Sequence, residues 1–218
     1  MSLKKNFLAL LKDENGQNFI IDNAEVILDS ALESDAIKAV PILGNLANIG
    51  KAYISFKDRQ LINKIAKFLE QLKVVSPKEL NDFLENDAQD PEALGEKVLV
   101  VLDRVETDEK AKIIGVLLVQ YIRGIITKDD FDLLCHAVDR VYFFELHMLR
   151  HCHSNEHTML DVGPLFLPFR ITKQNLEIMK HDPMALFGGQ KKPDHVKNTY
   201  QLTRLGETLV RILKEIYG

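Results

Sequence analysis

From Ile113 to Ile122 the chain reads Ile-Ile-Gly-Val-Leu-Leu-Val-Gln-Tyr-Ile, apolar on every side once wound at helical pitch. A water-soluble chain hides such a helix only by surrounding it with others, so this segment calls for a bundle with itself at the centre. Partners are at hand. Leu61, Ile62, Ile65, Phe68, Leu69 and Leu72 recur at helical spacing, with Lys64, Lys67 and Glu70 on other faces. Beyond Gly124, which suits a helix end, the run from Lys128 to about Arg150 reads as one long partner turning Phe131, Leu134, Val138, Val141, Tyr142 and Leu149 inward. With 46% hydrophobic positions in 218 residues, one core or two small adjoining cores can be filled.

Helix starts are written into the same region. Ser76-Pro77-Lys78-Glu79 supplies a capping serine, a proline at the first helical position and a glutamate to close a capping box. Asp90-Pro91 repeats the cap and proline. Thr107 precedes Asp108-Glu109 and Thr127 precedes Lys128-Asp129-Asp130, each placing a hydroxyl before acidic residues that favour a helix N-terminus. Four helices are expected from about 77, 91, 108 and 128. Asp13-Glu14-Asn15-Gly16 lacks the acidic spacing of a calcium loop and reads as a turn.

The texture changes near residue 153, dividing a helical bundle over 1–153 from a smaller region over 154–218. Gly163, Pro164, Pro168, Pro183, Gly188, Gly189 and Pro193 make the second region loop-rich, with one short helix expected at Lys173–Lys180 after Thr172. Asn198 to Leu202 reads as a short strand and Thr203 as the cap of a helix reaching Tyr217. The phrase Tyr200-Gln201-Leu202-Thr203-Arg204-Leu205-Gly206-Glu207-Thr208-Leu209 resembles the closing strand and last helix of a winged-helix domain. Tyr200 and Leu202 would be buried, and Gly206 would let the helix pack closely on its neighbour. The fold class is therefore mainly α, a multi-helix bundle with a C-terminal winged-helix-like α+β region.

The winged-helix resemblance implies a candidate nucleic-acid surface. Lys191-Lys192-Pro193 would form the wing tip, and Lys173 and Lys180 would reach phosphates from the short helix, where Gln174 and Asn175 can read adenine edges. That helix has two lysines and no arginine, so the preferred reading gives the wing-like end a structural or protein-contact role. A second surface begins with the small and large apolar residues of 37–56 and continues into Lys57, Arg59, Lys64 and Lys67. It reads as a membrane or partner surface, with a buried, closely packed helix the preferred alternative for 37–56. Residues 51–73 are predominantly basic and 76–110 predominantly acidic, so the body is dipolar although the whole chain is only −4. That charge argues against a globally basic nucleic-acid binder and leaves a local basic surface open.

His147, His151, His153 and His157, with Cys152, are the one concentration of potential metal ligands. His147-Met148-Leu149-Arg150-His151 lacks the glutamate of a catalytic zinc helix, and a polar helix end is the preferred reading. There is no Gly-x-x-x-x-Gly-Lys phosphate loop, no Gly-x-Ser-x-Gly elbow and no Cys-x-x-Cys pair. No enzyme activity and no cofactor are expected. Two cysteines suit a reducing interior, the start lacks a secretion signal, and lysines interrupt the best apolar stretch, so a cytoplasmic location is expected.

Pro41-Ile42-Leu43-Gly44, Lys51-Ala52 and Ser55-Phe56-Lys57-Asp58-Arg59, with the Tyr-x-Leu-Thr-x-x-Gly ending, resemble uncharacterised bacterial helical proteins, some associated with phage defence or abortive infection. The leading expectation is a non-enzymatic bacterial protein-binding module. The alternatives are a winged-helix DNA-binding regulator and a membrane-active effector working through 37–67.

Overall fold

Capping decides where most helices begin. In the computed structural model, which describes residues 3–29, 56–88, 90–152, 156–179 and 195–218, every expected cap is in place. Ser76 Oγ accepts from Glu79 N–H at 3.2 Å and Glu79 returns a carboxylate to Ser76 N–H, completing the box. Asp90 Oδ1 accepts from Ala93 N–H at 3.0 Å. Thr107 Oγ1 accepts from Lys110 N–H at 3.3 Å, and Thr127 and Asp130 form a second reciprocal box.

The described chain runs α1 (Leu3–Lys12), α2 (Glu14–Asp29), α3 (Phe56–Leu72), α4 (Pro77–Asp82) continuing into a π-helical turn at Phe83–Asp87, α5 (Pro91–Arg104), α6 (Asp108–Ile122) and α7 (Lys128–Arg140). It continues through α8 (Phe143–Arg150), α9 (Glu156–Phe166), a short 3-10 turn, β1 (Thr172–Met179), β2 (His195–Leu202) and α10 (Arg204–Tyr217). Two compact units result, 1–143 and 144–218, divided earlier than the change of texture at 153.

In the first unit α6 is the centre, as its all-round apolarity requires. Ile113, Ile114, Leu117 and Leu118 are sealed from solvent. Its most extensive neighbour is α3, with α7 and α5 completing the enclosure, while α2 lies on α3 and α1 on α5. Gly115 sets the α3–α6 approach: a Cβ there would stand 2.7 Å from the Phe68 carbonyl oxygen. The α3 stripe is buried as expected at Ile62, Ile65, Phe68, Leu69 and Leu72. Tyr121 of α6 meets Phe83 edge-on at 4.9 Å and stacks on Phe131 of α7 at 5.4 Å. Asp13 alone separates α1 from α2; the turn expected over Asp13–Gly16 is corrected, since Glu14, Asn15 and Gly16 already belong to α2.

Four further expectations are corrected. The single helix over 128–150 is two, because Val141 takes an extended conformation (φ −87°, ψ 138°) after α7. Tyr142 consequently points outward and is 70% exposed. The stretch after 153 contains α9, which carries Gly163 and Pro164 inside its last turn. Finally, residues 172–179 form a strand, because each has a ladder partner on β2: Thr172 opposite Leu202 through Met179 opposite His195. The expected strand at 198–202 is the inner part of this longer β2.

In the second unit the hairpin root is fixed to α9 and α10. Thr172 Oγ1 donates to the Gly163 carbonyl at 2.6 Å, and Tyr200 lies so close that a Cβ on Gly163 would come within 2.5 Å of its ring. Thr203 caps α10 by accepting from Gly206 N–H and donates to the Arg170 carbonyl at 2.6 Å. A Cβ on Gly206 would overlap the Ile171 carbonyl oxygen, the close approach anticipated for that glycine. Tyr200 and Leu202 are half-buried.

Candidate interaction surface

Alternation decides which side of each strand is covered. Thr172, Gln174, Leu176 and Ile178 share a face with Leu202, Tyr200, Asn198 and Val196, their respective ladder partners. α9 covers the root of this face through Thr172 and Tyr200. Beyond the root no described element covers the same face. Leu176 is 64% exposed, Ile178 71% and Val196 61%, three large aliphatic side chains side by side among the described residues. The opposite face holds Lys173, Asn175 and Glu177 with Gln201, Thr199 and Lys197, and at its outer end the exposed Met179 opposite His195.

The candidate phosphate-binding residues are distributed differently from expectation. Lys173 is exposed on the polar face of β1, on a strand and not a recognition helix. Lys180, Lys191 and Lys192 lie outside the described residues. The helix immediately before the hairpin is α9, whose sequence contains Glu156 and Asp161 and no lysine or arginine.

The basic stretch of α3 is largely engaged inside the first unit. Lys64 is buried, and its ammonium donates to the Asp103 carbonyl at 3.1 Å and the Val105 carbonyl at 2.9 Å, capping the C-terminal end of α5. Burial pulls its pKa below the usual lysine value, against the opposing charges of Asp103 and Asp108. Lys57 pairs with Asp103 at 3.3 Å and Lys67 with Glu70 at 2.9 Å. Arg59 is half-buried on the same helix. Next to this tie, Asn63 Nδ2 donates to Asp108 Oδ2 at 2.5 Å, and burial together with the Glu109 carboxylate raises the Asp108 pKa. Residues 37–55, the apolar part of the expected membrane or partner surface, lie outside the described residues. No described helix is long and apolar enough to cross a membrane.

Two of the histidines meet at the end of α8. The His147 and His151 rings are 5.3 Å apart, and the Arg150 guanidinium reaches His147 Nε2 at 3.3 Å and His151 Nε2 at 3.1 Å. A fixed cation thus occupies the place a metal between these nitrogens would need. Arg150 also donates to the Tyr217 carbonyl at the end of α10. His153 and the side chain of His157 lie outside the described residues. Among the described residues no three histidine, cysteine, aspartate or glutamate side chains are grouped to hold a metal. Cys135 and Cys152 are buried free thiols, and burial raises both pKa values.

Two features escaped the sequence reading. Lys110 is fully buried on α6, its ammonium 3.1 Å from Glu106 Oε2 in an ion pair without aligned hydrogen-bond geometry. Leu176, Ile178 and Val196 were hidden by reading 173–180 as a helix, although the alternation Asn175-Leu176-Glu177-Ile178 carries a strand period. The chain matches no protein-family model, no curated protein and no solved structure.

Proposed function

We propose that this chain is a non-enzymatic protein-binding module of the bacterial cytoplasm, and that it docks through the outer half of the β1–β2 hairpin. The observation supporting this reading is the exposed trio Leu176, Ile178 and Val196, which extends a face whose root is already an α9 packing surface. Contiguous aliphatic side chains on a strand face suit a protein partner, since they offer nothing to a phosphate. A DNA-binding regulator has less support, because α9 lacks basic side chains and the hairpin face is apolar. A membrane-active effector has less support because Lys57, Lys64 and Lys67 are engaged with Asp103, backbone carbonyls and Glu70.

The test is photo-crosslinking from a reactive side chain placed at position 178, performed in a bacterial extract. A discrete protein adduct is expected, and it should disappear when Leu176→Lys and Val196→Lys are added with the far-UV dichroism unchanged. Absence of any protein adduct would overturn the reading. So would tight duplex-DNA binding that falls steeply with salt and is abolished by Lys173→Ala with Lys197→Ala.

A further inference from the structure

β1 is a strand with an open side. Among the described residues the sheet has two strands, so the edge of β1 away from β2 has no ladder partner. Of its eight residues only Thr172 is buried. An unpaired edge offers a row of backbone donors and acceptors to any extended segment in register with it. Side-chain placement then decides which segment fits.

Lys173 and Glu177 lie on the same face of β1, two residues to either side of Asn175. That spacing is self-complementary. In an antiparallel pairing of β1 with another β1 about a two-fold axis through Asn175, Lys173 of each copy stands opposite Glu177 of the other. Within one hairpin Glu177 is already opposite Lys197 and Lys173 opposite Gln201. The row across the joined sheet would read Lys197, Glu177, Lys173, Gln201, with the carboxylate between two ammonium groups. Centring the axis on Glu177 or on Lys173 would set like charges against each other, so one register is favoured. β2 has no such pattern, its one lysine being Lys197 and its sequence holding no acidic residue.

We propose that the outer edge of β1 pairs antiparallel with β1 of a second copy of this chain, giving a four-stranded sheet centred on Asn175. This rests on the hairpin being a protein-docking element, and it names the partner of its edge. The two-fold axis is normal to the sheet, so both α9 helices lie on one side. Two strand spacings separate the hairpin centres, about 10 Å, which is the width of a helix. The antiparallel register also sets Ile178 of one copy beside Thr172 of the other, and Leu176 beside Gln174. The exposed Leu176 and Ile178 of each copy therefore come up beside the covered root of the other copy's hairpin, where α9 packs on Thr172 and Tyr200. The contact is isologous and small, the size class of weak, concentration-dependent dimers.

Sedimentation of the full chain over a concentration series at low ionic strength tests this pairing. Wild type is expected to dimerise. Lys173→Glu alone, or Glu177→Lys alone, opposes like charges and should weaken the dimer by about tenfold or more. The double variant Lys173→Glu/Glu177→Lys, made in a Lys197→Glu background so that position 177 keeps an opposite charge within its own hairpin, should recover wild-type affinity, and an equimolar mixture of the two single variants should dimerise more tightly than either alone. Both positions of the swap, Lys173 and Glu177, are solvent-facing, so unchanged far-UV dichroism is the folding control. A monomeric wild type, single variants that dimerise like wild type, or a double variant that fails to recover would each overturn the pairing. If the dimer is absent while position 178 still crosslinks to a different protein, the self-pairing is wrong and the docking reading stands; if neither occurs, both fall.

Discussion

Two mid-helix glycines in the first unit should respond to alanine with opposite signs. Gly115 on α6 faces α3 so closely that a Cβ would lie 2.7 Å from the Phe68 carbonyl oxygen and 2.8 Å from Gln71 Cβ. Gly95 on α5 faces α1, where a Cβ would find Leu8 Cβ at 3.6 Å and nothing nearer, an ordinary contact. Alanine gains about 1 kcal/mol of helix propensity over glycine at either position. At Gly95 that gain stands, with a little added packing. At Gly115 the obstruction is backbone, which cannot rotate away, so the helices must separate along the most extensive interface of the unit. Overpacking of this kind costs ~1–3 kcal/mol. The expected difference between the variants is then about 2 kcal/mol, or roughly 4–8 °C in melting temperature for a chain of this size. Urea and thermal unfolding followed by far-UV dichroism measure it. A Gly115→Ala protein as stable as wild type, or a Gly95→Ala protein less stable, would refute the packing account.

Further predictions concern other parts of the molecule. Gly206→Ala should destabilise the second unit by ~1–3 kcal/mol, because the Cβ meets the Ile171 carbonyl that Thr203 N–H and Oγ1 also use; faster amide exchange at Thr203 and Gly206 than in wild type is the readout. Thr127→Ala removes one arm of an exposed capping box and should cost about 1 kcal/mol in urea titrations. Burial, together with the Glu109 carboxylate, raises the folded pKa of Asp108 above the usual aspartate range, so the folded state binds its proton more tightly than the unfolded chain. Stability from this group is therefore present at acid pH and is lost as pH rises through the folded value. The stability of wild type relative to Asp108→Asn should accordingly increase as pH falls toward 4, and a flat difference would refute the burial of that carboxyl.

The helical bundle was legible because its signals are local. Caps such as Ser76, Asp90, Thr107 and Thr127 act on backbone groups three residues away, and the α3 and α6 patterns need nothing but helical period. The hairpin was less legible because its stabilising partners are remote: Lys173 to Met179 become a strand by pairing with residues more than fifteen positions later, and the segment's polar composition gave no apolar run to announce it. The break after α7 was missed for a similar reason. Val141 and the aromatic residues after it extend the apolar pattern, while the turn is made by backbone dihedrals that the pattern does not encode. The charged surface of α3 was misjudged at Lys64, since a lysine at helical spacing looks solvent-facing until two carbonyls at the end of α5 are found beside it.

That last difference bears on function. A run of basic side chains becomes a docking surface only to the extent that its charge is not already used, and here Lys64 closes the end of α5 while Lys57 neutralises Asp103 on the same helix. The hairpin is the reverse case. A two-stranded ribbon is marginal alone and draws its stability from its root, where Thr172, Tyr200 and Thr203 meet Gly163, Arg170 and Ile171. The residues beyond that root, Leu176, Ile178 and Val196, add little to holding the unit together and leave aliphatic surface in water. Replacing Leu176 and Val196 with threonine, with the reactive side chain kept at position 178, should therefore leave the unfolding midpoint of the second unit nearly unchanged while abolishing the crosslink. A large loss of stability would instead assign these side chains to the fold and remove the reason for treating them as a surface for a partner.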